Sequence, residues 1–130
     1  MFVDASALTA ILVREKDADD IEARLLASKT PLITSALALF ETALAVSARL
    51  RIDLELAAEE TAAYTSPKVK TVPITAEIGR LAIDARSRYG KGTGHPARLN
   101  LGDCFAYACA KAHAVPLLYK GDDFVHTDLA

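Results

Sequence analysis

The sequence predicts an α/β fold: a three-layer α/β/α sandwich around a central, mainly parallel sheet. Short apolar runs of strand character alternate with longer stretches of helical period, which is the pattern of βαβ units. The 130 residues are enough to bury one core and too few for two, so a single domain over residues 1–130 is expected. With 52% hydrophobic and 25% charged residues, the chain is too apolar to stay disordered.

Met1-Phe2-Val3-Asp4 reads as the first strand, followed by a helix from about Ser6, whose hydroxyl can cap the free amides of a first turn. A second helix is expected from Asp17 to Ser28, with Asp17, Asp19 and Asp20 at the end where the helix dipole favours anions. Pro31 to Thr34 reads as a short strand, and Ser35 to Arg51 as a long helix whose Arg49 and Arg51 suit its carboxyl end. Another helix covers Asp53 to Tyr64. Val69 to Ile74 has strand character, although Pro73 puts its last residues at an edge or outside the sheet. Helical period returns from Ala76 to Tyr89, with Ile78, Leu81 and Ala82 on one face. Gly90 to Pro96, the Gly/Pro-rich stretch, must be a loop. A nearly uncharged helix from Leu101 to Ala114 leads into a last strand, Val115 to Tyr119, and the turn Gly121-Asp122-Asp123-Phe124.

Met1 to Val13 lacks the basic start and small-residue cleavage site of a signal peptide, and no apolar run is long enough to span a bilayer. A cytoplasmic protein that makes no membrane contact is expected. Cys104 and Cys109 match no zinc or redox spacing and read as small core residues. A formal net charge of −2 argues against the overall basic footprint of a non-specific nucleic-acid binder, so any such binding must come from a local patch. Arg80, Arg86, Arg88, Lys91, His95 and Arg98 form one candidate stretch, interrupted by Asp84; a solvated helix face and polar loop is the plainer reading.

The positions of several carboxylates carry the functional argument. Asp4 closes an apolar strand, and in open parallel sheets ligands bind at the carboxyl ends of strands. Asp is also a good helix cap, so both readings stand. Glu41 lies four residues after Leu37, in a helix whose apolar stripe is set by Leu37, Phe40 and Leu44. A carboxylate on that face needs a cation, a partner or a proton, unless it sits at the stripe edge and reaches solvent. Asp103 stands in the first turn of the most apolar helix, as a site residue or as a dipole-favoured cap. Asp122 and Asp123 follow the last strand, where Gly-Asp-Asp is also ordinary turn chemistry.

These acids come from strand ends and helices able to meet at one sheet edge. Two like charges about 4 Å apart repel by roughly 4 kcal/mol at an effective dielectric near 20, so such a cluster calls for a divalent cation. Oxygen-only ligation suits Mg²⁺ or Mn²⁺ over Zn²⁺. An acid-held Mg²⁺ can lower the pKa of a water and stabilise charge on a phosphoryl oxygen, which makes phosphodiester hydrolysis the natural chemistry.

The same residues carry a family resemblance over nearly the whole chain. Val3-Asp4-Ala5-Ser6-Ala7-Leu8, Phe40-Glu41-Thr42-Ala43-Leu44, Leu99-Asn100-Leu101-Gly102-Asp103-Cys104-Phe105-Ala106-Tyr107-Ala108 and Leu117-Leu118-Tyr119-Lys120-Gly121-Asp122-Asp123-Phe124, with Thr127-Asp128 beyond it, resemble the motifs of PIN-domain toxins of the VapC family. The resemblance implies a Mg²⁺- or Mn²⁺-dependent endoribonuclease. It implies a homodimer, higher toxin–antitoxin assembly, and inhibition by a VapB-like antitoxin whose carboxyl-terminal segment occupies or crosses the active-site groove. Asp4, Glu41 and Asp103 would hold the metal and orient the attacking water, and Ser6 would support the first acid by hydrogen bonding. For the fourth acid the reading favours Asp123 and keeps Asp122. Arg86, Arg88, Lys91 and Arg98 are the candidates for RNA or antitoxin contact, since an acidic pocket needs nearby cations to hold a phosphate backbone.

Gly90-Lys91-Gly92-Thr93-Gly94 lacks the residue order of a phosphate loop and follows a helix instead of a strand. His95 and His113 read as loop and helix-surface residues, not catalysts, and His126 has no paired ligand spacing. Two other functions compete. A receiver or dehalogenase-like phosphatase fits poorly, because the phosphatases want Asp-x-Asp where Asp4-Ala5-Ser6 stands. A non-catalytic PIN-like module that seats RNA or a peptide would not need every expected acid.

Overall fold

The computed structural model describes residues 1–130. The chain runs β1 (Phe2–Val3), α1 (Ala5–Leu12), α2 (Ala18–Leu26), β2 (Ile33–Ser35), α3 (Ala36–Leu50), α4 (Leu54–Thr65), β3 (Lys70–Val72), α5 (Ala76–Tyr89), α6 (Leu101–Ala112) and β4 (Leu117–Leu118). The strands form one sheet in the order β3-β2-β1-β4, and every pairing is parallel. Phe2 is in register with Ile33 on one side and Leu117 on the other, and Val3 with Leu118.

The two-residue period of a strand splits this sheet between two cores. Phe2, Ile33 and Leu117 face α5 and α6, where Ile78, Ala82, Leu99, Tyr107 and Phe124 complete a large cluster. Val3 and Leu118 point the other way, onto Leu8 and Ile11 of α1 and Ile21 and Leu25 of α2. The three layers expected from the sequence are therefore present. The central position of β1 explains why both of its residues are fully buried.

Polar side chains set the helix starts. Ser35 accepts from the Ala38 N–H at the head of α3, and Thr75 from the Ile78 N–H at the head of α5. The cap of α1 is Asp4, not Ser6; Ser6 lies inside the first turn and turns its hydroxyl back onto the Asp4 carboxylate. An aspartate at the strand end is already in extended backbone and can accept the free amide, so the cap falls two residues earlier than the Ser6 hydroxyl suggests.

Most elements are shorter than expected, α6, β4 and β3 among them. Helix α6 stops at Ala112, because Ala114 takes a left-handed conformation with φ +52°. The last strand is reduced to Leu117–Leu118. Strand β3 keeps only Lys70–Val72 and lies at the sheet edge, in keeping with Pro73 just beyond it.

The apolar stripe assigned to α3 was wrong. Phe40 is 57% exposed and Leu44 44% exposed, whereas Ala38, Thr42, Ala43 and Val46 are buried. The helix packs against α1, α4 and α6 through small residues, because close helix approach leaves no room for the larger ones. The glycine-rich loop is pinned at its base: Leu99 N–H donates to Tyr89 O and Lys91 N–H to Leu99 O, at 2.8 and 2.9 Å.

Candidate active site

Strand order fixes where a site can form. The chain leaves β1 toward β2, while β4 lies on the opposite side of β1, so the carboxyl ends of β1 and β4 flank a topological switch point. Asp4 follows β1, and the Gly121–Phe124 turn follows β4. The Asp4 N–H donates to Leu118 O at 2.9 Å, which couples the two strand ends directly.

Asp4 is buried, 5% exposed. Its Oδ2 accepts from the Ser6 N–H at 3.0 Å and from the Ser6 hydroxyl at 2.5 Å. The Ser6 oxygen in turn accepts from the Lys120 N–H at 3.0 Å, so one hydroxyl ties the first acid to the segment after β4. Burial raises the pKa of Asp4, the Ser6 hydrogen bonds oppose that rise, and the Asp123 charge adds to it.

Asp103 is 8% exposed. It is a cap partner that also lines the groove described below: Asn100 Oδ1 accepts from the Asp103 N–H at 2.9 Å, and Asp103 Oδ2 accepts from the Asn100 N–H at 3.0 Å. The two readings left open by the sequence are therefore compatible, because the capping box engages one oxygen and fixes the direction of the other. Burial, followed by the charges of Asp123, Asp4 and Glu41, pushes the Asp103 carboxyl up to about 7.

Glu41 comes from α3 and is half-buried. Its carboxylate lies against Gly102 in the first turn of α6, and burial with the Asp4 charge raises its pKa. Glu41 therefore lies at the edge of the buried face of α3, with its carboxylate turned toward α6.

Asp103 lies within electrostatic reach of Asp4, Glu41 and Asp123, and Asp4 within reach of Glu41 and Asp123. Asp122 and Asp123 line a groove of about 330 Å³ together with Lys91, Arg98, Asn100, Asp103 and His126. Asp123 raises the pKa of both Asp4 and Asp103, whereas Asp122 is not among the charges acting on either.

The four carboxylates present only oxygen donors, which fits a hard divalent cation such as Mg²⁺ or Mn²⁺. The raised proton affinity of Asp4, Glu41 and Asp103 is the electrical face of the same fit, since positive charge relieves the repulsion. No three or more His, Cys, Asp or Glu side chains stand together in a metal-holding arrangement, in keeping with the mutual repulsion of like charges.

The basic candidates divide. Lys91 and Arg98 line the acidic groove. Arg86 and Arg88 do not: Arg86 donates to Leu99 O at 3.1 Å, and Arg88 donates to Tyr89 Oη at 2.7 Å while lying over that ring. Both sit on α5, facing the base of the glycine-rich loop and the Tyr89–Tyr107 pair, so they hold the fold at that end. His95 is also a loop residue, its Nδ1 accepting from the Ala97 N–H at 3.1 Å, and His113 is the exposed C-cap of α6.

Sequence reasoning missed the other flank. Glu41, Ala45 and Arg49 recur every fourth residue and line a second groove with Ser6, Glu15 and Lys120. Here Arg49 pairs with Glu15 at 3.0 Å, and Lys120 pairs with Glu15 and Asp17. The spacing from Glu41 to Arg49 was readable; the contact with Lys120 was not. His126, on the first groove, carried no sequence signal.

A parallel sheet of this order, with acids at the β1–β4 switch point, is the architecture of a PIN domain, and the PIN domain family model matches residues 1–129. A VapC ribonuclease of Rhizobium meliloti is 44% identical over 140 residues, covering 98% of each chain. The ribonuclease VapC30 of Mycobacterium tuberculosis is 42% identical over 136 residues, 100% of this chain and 96% of its own. Among solved structures, M. tuberculosis VapC20, described as a sarcin–ricin loop cleaving toxin, superposes with a TM-score of 0.71 at 22% identity, over 95% of this chain and 92% of that one; at that identity the likeness concerns the fold alone. The chain belongs to the PIN-domain family and, within it, to the VapC ribonucleases.

Proposed function

We propose that this protein is a Mg²⁺- or Mn²⁺-dependent endoribonuclease, the toxin of a type II toxin–antitoxin pair. One observation carries the reading: acids from four separate segments gather at one sheet edge, where the charges of Asp4, Glu41 and Asp123 all act on Asp103. Placing like charges together is costly, and a nuclease centre explains why it is done. The relatives named as ribonucleases support the substrate class.

When bound, the divalent cation supplies Lewis acidity toward a water and toward the phosphoryl oxygens. Asp4, Glu41 and Asp103 hold it, with Asp123 as the fourth acid in preference to Asp122. The Ser6 hydroxyl fixes the Asp4 carboxylate, and the Asn100 N–H fixes that of Asp103, so neither acid has to reorganise as a substrate arrives. Lys91 and Arg98 offset the negative potential of the acids and receive the RNA backbone along the first groove.

The partner is a VapB-like antitoxin whose carboxyl-terminal segment covers that groove. A homodimer is the working assembly, with higher toxin–antitoxin complexes built from it; the exposed apolar side chains Ile83 and Leu101, neighbours on α5 and α6, favour such an association. The location is cytoplasmic, and no helix is long and apolar enough to cross a membrane.

Purified protein incubated with structured RNA and Mn²⁺ should give cleavage products that Asp4→Ala and Asp103→Ala abolish. Equal products from all three proteins would assign the cleavage to a contaminant and defeat the proposal. Growth arrest on expression, relieved by Asp4→Ala, tests the toxin role.

A further inference from the structure

We propose that Gly102 is a positioning residue for Glu41: the missing side chain at this place in α6 is the seat of the Glu41 carboxylate. This rests on the reading of Glu41 as a metal-holding acid.

The geometry is specific. A β-carbon on Gly102 would lie 2.1 Å from Glu41 Oε2, 2.5 Å from Oε1 and 2.6 Å from Cδ, far inside the roughly 3.5 Å at which non-bonded heavy atoms rest. All three atoms belong to the end of a flexible side chain, and no backbone atom is among them. An added methyl would therefore move the carboxylate and leave the helix in place.

Backbone conformation does not explain the glycine. Gly102 is inside α6, a helical position that any residue can adopt, and it is not among the residues with positive φ. Alanine is the better helix former there, so glycine weakens the helix it belongs to. What glycine provides is space beside the free amides at the start of α6, where an anion is favoured, and where Glu41 comes close enough for its charge to act on Asp103. Gly79 in α5 makes the contrast: a β-carbon there would meet nothing within 4 Å.

The test compares metal-stripped full-length Gly102→Ala with wild type, with Gly79→Ala, with Glu41→Ala and with the Glu41→Ala/Gly102→Ala pair. Three quantities are read: melting temperature in EDTA, the side-chain carboxyl ¹³C shift of Glu41, and Mn²⁺ affinity by electron paramagnetic resonance. Gly102→Ala should melt at or above wild type, shift the Glu41 carboxyl signal and weaken Mn²⁺ binding roughly 10- to 100-fold. Gly79→Ala should leave signal and affinity unchanged. In the Glu41→Ala background, Gly102→Ala should cost no further affinity. An unmoved Glu41 signal in Gly102→Ala overturns the proposal, as does equal loss of affinity in both backgrounds. Should Gly102→Ala melt lower, truncating Glu41 must restore the melting temperature, and failure to do so overturns it too. Wild-type affinity in Glu41→Ala would overturn the role of Glu41 as a metal holder and, with it, this role for Gly102; a displaced Glu41 signal would then show that the steric seat alone is right.

Discussion

Replacing Asp103 by asparagine should make the metal-free protein more stable while destroying its nuclease activity. Asparagine has nearly the same shape, and its Oδ1 can still accept from the Asn100 N–H, so the start of α6 is kept. What is lost is a buried charge. The Asp103 carboxyl titrates at about 7, against 3.8 for an unperturbed aspartate, because of burial and then the Asp123, Asp4 and Glu41 charges. At 1.36 kcal/mol per pH unit that gap amounts to about 4 kcal/mol borne by the ionised native state. One side of the carboxylate faces the open groove, and screening there reduces the figure to about 2 kcal/mol.

The sign of the pH dependence follows from which state holds the proton. Between about pH 4 and pH 7 native Asp103 keeps a proton that the unfolded chain gives up, so wild-type stability falls as the pH climbs through that window. Below it both states are protonated and no penalty exists; above it the penalty is constant. Asparagine has no proton to lose. Melting curves in EDTA should therefore coincide near pH 4 and separate by about 6 to 10 °C at pH 8, the variant higher. Added Mn²⁺ should narrow the gap by stabilising wild type preferentially. A variant that melts at or below wild type at pH 8 in EDTA, or a gap that does not change with pH, would refute the reasoning.

Ser6→Ala removes the hydroxyl that bonds Asp4 and receives the Lys120 N–H; stability should fall by about 1–2 kcal/mol, and the pH needed for half-maximal Mn²⁺ uptake should move upward, because a restraint on the Asp4 pKa is gone. Lys91→Ala and Arg98→Ala should each weaken binding of a non-cleavable RNA and lower the salt slope of log K by about 1, measured by fluorescence anisotropy, whereas a change confined to cleavage would count against backbone contact. Asp128→Asn should cost about 1 kcal/mol at neutral pH, since Asp128 accepts from Tyr107 Oη at 2.7 Å and Lys111 Nζ at 2.9 Å. Its pKa is lowered by those same groups, so this contribution is present above about pH 4 and lost as the pH falls through the native value; denaturant titrations at pH 7 and at successively lower pH should show the difference and its decline.

The alternation of short apolar runs with helical period was enough to order the elements and to put Asp4 and the Gly121–Phe124 turn at strand ends, because strand and helix leave different local periods in a sequence. The motif around Asp103 was equally legible, since a lone acid at the head of an uncharged helix stands out against its surroundings. Ends were less legible: Ala114 takes a left-handed turn just beyond α6, and nothing local to alanine announces that conformation.

Tertiary packing decided the rest. It exposed Phe40 and Leu44 and buried Ala38 and Thr42, because how closely α3 approaches its neighbours is a property of several helices together. It turned Arg86 and Arg88 to the Tyr89–Leu99 region and left Lys91 and Arg98 at the acids, although all four are close in sequence. It drew Asp123 into the cluster ahead of the adjacent Asp122, and it set Glu41 in the space left by Gly102, 61 positions later in the chain. Charge and periodicity are carried by the residues themselves; which charges share a cavity depends on how distant segments close upon one another.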